Sequence, residues 1–157
     1  MKESILVQED NFEKARRDIK NNTGKTLIFS SDNDELNRKI LEKEKINMLL
    51  LSQTGRKDFQ KQRNSGFNDV LAKIAKKNEV IIGINLDEII EAKSKKKSDI
   101  IARVRQNIKL CNKNKLKMRF VVSKKENQRE THNLRALGLV LGMPTWMTKS
   151  LNSDSYL

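Results

Sequence analysis

The chain has 157 residues, with 33 Lys or Arg against 20 Asp or Glu, a formal charge of +13 and a pI near 9.9. This length suits one domain, 1–157, around one core, and the charge points to a polyanion bound through phosphate neutralisation; a soluble basic protein without such a partner is the alternative. Aromatics at 4 % leave few platforms for stacking single strands, the lone Cys111 excludes an intrachain disulfide and a cysteine-cluster zinc site, and no apolar run approaches the ~18 residues of a membrane span. Duplex or folded RNA held by its backbone, a cytoplasmic location and no membrane partner are therefore expected.

Ile5-Leu6-Val7 reads as a strand. Asp10 with Glu13 forms a cap-like pair before a helix from Phe12 to Asn21, which Asn22-Thr23-Gly24 ends. Thr26 to Ser30 is a second strand, and Asp32 with Glu35 opens a helix from Asp34 to Lys45. Asn47 to Ser52 is a third strand, followed by a polar loop, Gln53 to Phe67, and a helix from Asn68 to Lys77. Val80 to Leu86 is a fourth strand, and a charged stretch, Glu91 to Lys97, precedes a long helix from Ser98 to Lys115. In that helix Ile101, Val104, Ile108 and Cys111 share a face; Arg105, Lys109 and Lys113 form a ridge beside it, with Ser98 and Asp99 as its cap and first-turn acid. Arg119 to Ser123 is a fifth strand; the last helix runs from Glu130 to Leu141 and stops at Gly142-Met143-Pro144. The tail holds Trp146 and a Leu151 segment, read as a final short strand or turn.

The strand segments are continuously apolar, the mark of parallel strands covered on both faces, and β-α alternation implies right-handed crossovers. An eight-unit barrel needs about 200–250 residues. Five units leave a partial barrel or an open parallel sheet.

Three segments carry a resemblance. They are Gly66-Phe67-Asn68-Asp69-Val70-Leu71-Ala72-Lys73-Ile74-Ala75, preceded by Arg56-Lys57-Asp58; the helix from Arg105 to Lys115, the most specific; and Asn133 to Met143, continued by Thr148-Lys149-Ser150-Leu151. In order and spacing they resemble the archaeal and eukaryal ribonuclease P protein component 3 family, well over residues 47–151 and more loosely before. The resemblance implies a TIM-barrel-like parallel β/α fold related to metal-dependent phosphoesterases. Here that means an incomplete barrel of about five to six β-α units, because the family's first one or two units are not seen. It implies a non-catalytic protein subunit of an endoribonuclease that removes the 5′ leader from precursor tRNA. The RNA subunit would do the chemistry with its own Mg²⁺, the protein would bind no cofactor, and the partners would be ribonuclease P RNA, protein component 2 and precursor tRNA. Two places depart from the family pattern. Asp87-Glu88 follows Leu86 where a basic residue and a proline are expected, and His132-Asn133 stands where an Arg-Asp pair commonly opens the last helix.

Candidate RNA-binding residues are Arg56, Lys57, Lys61 and Arg63 in the long loop, Lys124, Lys125 and Arg129 after the fifth strand, Arg105 and Lys109 on the ridge, and Arg135. The first two groups belong at the C-terminal edge of the sheet, where binding sites of parallel α/β folds collect. A solvated loop and a solvated helix flank are the bland alternatives, as is plain solubility for Lys95-Lys96-Lys97. Trp146 is a candidate for a partner interface, with packing as its alternative. No metal site is expected. The single His132 cannot build a phosphoesterase cluster, and Asp87 with Glu88 suits helix capping better than one Mg²⁺. A small phosphoesterase-like enzyme and a generic basic RNA-binding protein are the functional alternatives. Gly24-Lys25-Thr26 precedes a strand and lacks an upstream glycine, so it is no P-loop.

Overall fold

The structure, a computed structural model, describes residues 3–152. Five strands, β1 (Ser4–Gln8), β2 (Thr26–Ser30), β3 (Met48–Leu51), β4 (Ile81–Asn85) and β5 (Met118–Val121), form one sheet in the order β1-β2-β3-β4-β5. Every pairing is parallel, with Leu6 beside Ile28, Leu50 beside Gly83 and Asn85 beside Val121. The helices are α1 (Phe12–Asn21), α2 (Asp34–Lys43), α3 (Asp69–Lys77), α4 (Leu86–Glu91), α5 (Ser94–Lys113), α6 (Thr131–Leu141) and α7 (Thr145–Thr148).

Sequential order has a steric consequence. When each right-handed crossover steps one strand in the same direction, the connecting helices fall on one face of the sheet. Leu27, Phe29, Leu49, Leu51, Ile82, Ile84, Met118 and Phe120 join the buried helix residues in the main core. Alternate strand positions, Ile28, Met48, Leu50 and Val121 with Leu6 and Ile81, form a separate small cluster on the other face. Gly83 makes that second cluster possible, since a Cβ there would lie 2.9 Å from Met48 Sδ and 3.1 Å from Leu50 Cδ1.

Helix entry depends on asparagine. Asn11, Asn33, Asn68 and Asn85 cap α1 to α4, each side chain accepting from backbone N–H groups of the first turn. Asp10 and Asp32, expected as caps, stand one residue too early. Such a cap contributes about 1 kcal/mol.

Two sequence expectations change around α4 and α5. The stretch after β4 is helical without an intervening turn, forming α4. Next, α5 begins at Ser94 rather than Ser98; Lys93 occupies its N-cap with no side-chain bond, and Ser98 lies inside the helix with Oγ donating to Ser94 O. The buried stripe of α5 runs through Ile100, Val104, Ile108 and Cys111, while Ile101 is only half-buried. Burial pushes the Cys111 thiol far above its ordinary range. Helix α6 stops at Gly142 in the left-handed region, as its sequence signals. Leu151 is buried but in no strand, and residues 153–157 lie outside the described residues. No helix among the described residues is long and apolar enough to cross a membrane.

Candidate nucleic-acid interface

The β3–α3 connection, residues 52–68, crosses the C-terminal edge of the sheet and is pinned from three sides. From α5, Arg103 reaches into it: Nε donates to Asp58 Oδ1 (2.8 Å), Nη1 to Gln53 O (3.2 Å) and Nη2 to Arg56 O (2.9 Å). From α2, Asp34 accepts both Arg56 Nη1 (2.9 Å) and Nη2 (2.8 Å), while Arg56 Nε donates to Ser52 O. From α4, the Glu88 carboxylate accepts the backbone N–H groups of Gln53 and Thr54 and the Ser52 hydroxyl. Within the loop, Gln53 Nε2 donates to Ser65 O, and Gln106 of α5 donates to Arg63 O and Ser65 Oγ. Gly66, at φ +72°, fits under the Arg56 guanidinium, where a Cβ would collide with Nη2.

These bonds correct the reading of Arg56. Its side chain is only 10 % exposed and its donors are spent on Asp34 and Ser52, so it shapes the loop and has no free face for phosphate. Arg63 is likewise committed, bonded to Asp58 (2.8 Å) and close to Asp99 (3.6 Å). The hydrogen bond from Arg103 is the main cause holding the Asp58 carboxyl below the usual range; burial opposes it, and the Asn64 N–H and the Arg63 charge assist. The sequence reading missed Arg103 and Gln106. Both lie in the most distinctive helix, but their partners are 41 to 50 residues away in the chain.

Asp87 and Glu88 do not cap α4, since Asn85 does. Asp87 fixes the loop after β5, accepting from the Ser123 N–H (2.8 Å), the Ser123 hydroxyl (2.7 Å) and Asn127 Nδ2 (2.7 Å). Burial raises the Asp87 carboxyl, but these three bonds and nearby Lys124 overcome that, and the net displacement is downward. A carboxyl depressed in the folded state stabilises the fold above its ordinary pKa of about 3.9, and that contribution fades as pH falls through and below this value. Asp87→Asn presents an amide that cannot accept all three donors, and a cost of about 1–2 kcal/mol at pH 7 is expected. Denaturant melts from pH 7 to pH 3 should show the gap from wild type narrowing with acidification; a constant gap would refute the carboxylate's role. No group of three or more His, Cys, Asp or Glu is placed to hold a metal among the described residues.

The remaining candidates differ in freedom. Lys57, Lys61 and Lys125 are exposed with no acidic partner among the described residues, whereas Lys124 is bonded to Glu91. Arg129 donates only to carbonyls of its own loop, and Arg135 donates to Lys149 O (3.3 Å). Arg105 and Lys109 are exposed along α5 with no ion pair among the described residues, and Lys113 of the same ridge pairs with Asp69 (3.1 Å). Trp146 is half-buried against the main core, with Nε1 donating to Asn112 Oδ1 (3.1 Å) and its ring 5.5 Å from Lys115 Nζ, so it ties α7 to α5.

No protein-family model matches the sequence, and no curated protein matches it. Among solved structures, a chain of the cryo-EM structure of archaeal ribonuclease P with mature tRNA superposes with a TM-score of 0.78 at 21 % identity. The match covers 94 % of this chain and 63 % of that one, so it spans less than two thirds of the neighbour's length. At this identity the likeness is one of fold.

Proposed function

We propose that this chain is a non-catalytic protein subunit of ribonuclease P, of the component 3 type, which supports the catalytic RNA in removing 5′ leaders from precursor tRNA. The observation that carries this reading is the fold likeness, with its TM-score of 0.78 over 94 % of the chain, to a chain of an archaeal ribonuclease P assembly. The sequence segments that resemble component 3 and the charge of +13 point the same way. In this reading the sequentially ordered parallel sheet is a sector of a TIM-barrel-like wall. The chain's contribution is electrostatic: exposed cations, among them Arg105 and Lys109, neutralise phosphates of folded RNA. Mg²⁺ belongs to the RNA. Protein component 2 is the protein partner and precursor tRNA the substrate of the assembly, which works in the cytoplasm.

The test is reconstitution. The full chain is combined with ribonuclease P RNA and component 2 from the same source, and precursor tRNA cleavage is followed at low Mg²⁺. Cleavage that requires this chain is the expected result. Absence of stimulation, with no co-purification of RNA or component 2, would overturn the assignment.

A further inference from the structure

Acids and lysines are unevenly placed along the strand axis. In a parallel β-α sheet the connecting helices run against the strands, so their N-termini gather at the C-terminal edge and their C-termini at the N-terminal edge. Acids favour the first position and lysines the second, because each complements the helix dipole. At the C-terminal edge, residues 9–13 and 32–35 hold six acids and no Lys or Arg. The β3 and β5 loops and the start of α5 add cations there: Arg56, Arg63, Lys95 and Lys124 are each bonded to a carboxylate, while Lys57, Lys61, Lys96 and Lys125 are exposed and without an ion pair among the described residues, interspersed with these pairs and with the acids before α1 and α2. At the opposite edge, residues 76–79 and 113–117 hold five lysines and one acid, and of these lysines Lys113 alone is in an ion pair among the described residues, with Asp69.

Two adjoining clefts of 390 and 410 Å³ lie at this N-terminal edge and share Glu79 and Val80. Lys43, Lys45 and Lys77 line one; Lys76, Lys115 and Lys117 line the other. Among the described residues none of these six lysines is in an ion pair, whereas Glu42 and Glu44 beside them are occupied by Arg38 and Arg16. Geometry holds the row together. Lys76 Nζ donates to Lys115 O (2.9 Å), and the Lys115 ammonium stands over the Trp146 ring. The exposed ridge Arg105-Lys109-Lys113 leads along α5 to the same edge.

We propose that the N-terminal edge of the sheet, and not the C-terminal edge where parallel α/β folds commonly bind ligands, is the surface that receives the RNA backbone. Phosphates follow the α5 ridge and seat over the lysines around Glu79. The acidic segments before α1 and α2 turn the other edge away from RNA. This inference deepens the ribonuclease P reading and rests on it.

The probe is a labelled RNA stem–loop, bound to the full-length protein across a salt series. Lys43, Lys45, Lys77 and Lys117, all exposed, are changed together to Gln; a second variant changes Lys57, Lys61, Lys96 and Lys125, equal in charge and also exposed. Melting curves check that both fold, and the single variants Lys77→Gln and Lys117→Gln provide the same reading if a quadruple change does not. At ~0.7–0.9 per phosphate, the first variant should flatten the log K against log salt slope by about three units and each single by just under one. The second should flatten it by less than half as much as the first. Equal losses, or a greater loss from the second variant, would overturn the N-terminal edge while leaving the subunit reading intact. A wild-type chain that neither binds RNA nor stimulates cleavage would overturn both.

Discussion

Arg103→Ala should lower the stability of this protein by about 2 kcal/mol, the scale for leaving buried acceptors without their donor. Arg103 is 4 % exposed, and its guanidinium is the common partner of the Asp58 carboxylate and the carbonyls of Gln53 and Arg56. Truncation leaves the Gln53 and Arg56 carbonyls without their donor, and sheltered acceptors without donors bear the desolvation cost, whereas the partly exposed Asp58 carboxylate turns to water. The loop from 53 to 66 should loosen before the sheet does. Trypsin should then cut at Lys57 and Lys61 faster than in wild type, and the melting temperature should fall. Arg103→Lys should restore little, because a point charge cannot hold one carboxylate and two carbonyls in a fork. RNA affinity should follow the folded fraction alone, since Arg103 is buried. A variant with wild-type melting and proteolysis would show that the loop is held by Arg56 and Glu88 without α5.

Ile108→Asp should have the larger effect. Ile108 is 1 % exposed on the stripe of α5 that faces the main core. Loss of the side chain costs about 2–5 kcal/mol, and the new carboxylate has no cation to meet it among apolar neighbours. Against a typical total of about 5–15 kcal/mol, the chain should be largely unfolded at 37 °C. Leu139→Asp is the control: Leu139 is 54 % exposed on α6, and the same substitution there should leave the melting curve close to wild type. A folded Ile108→Asp would mean that α5 faces the core through a different stripe.

Where local chemistry decides, the sequence is legible. Continuous apolar runs mark all five strands within about two residues, and α1 has the bounds that its periodicity implies. The failures have physical causes. Asp10 and Asp32 look as good as asparagine at a helix start, but a cap must stand one residue before the first helical one, and Asn11 and Asn33 stand there. Helix α4 hides because it leaves β4 with no Gly or Pro between them. Ser98 and Asp99 imitate a helix start although the chain is already helical from Ser94, beginning on lysines that carry no cap. The site was less legible. Charge alone does not distinguish Arg56, locked to Asp34, from Lys57 beside it, because pairing with a residue 22 positions away is a property of the fold. The edge preference of parallel α/β proteins pointed to the C-terminal loops, whereas the ion pairs there leave fewer free cations than the count of basic residues suggests.

The sequential order of the sheet also bears on how the chain acquires its structure. Each strand pairs with the next strand in the chain, one helix later for β1 to β4 and two helices later for β5, so no strand pairs across an intervening strand of the sequence. Units can be added in the order of synthesis, each laying its helix beside the one before. The longest-range side-chain bond among the described residues belongs to the clamp that ties α5 back to the β3–α3 loop, 45 to 50 residues earlier in the chain. That loop cannot take its final form until α5 has emerged, so it matures after the strand and the helix that flank it.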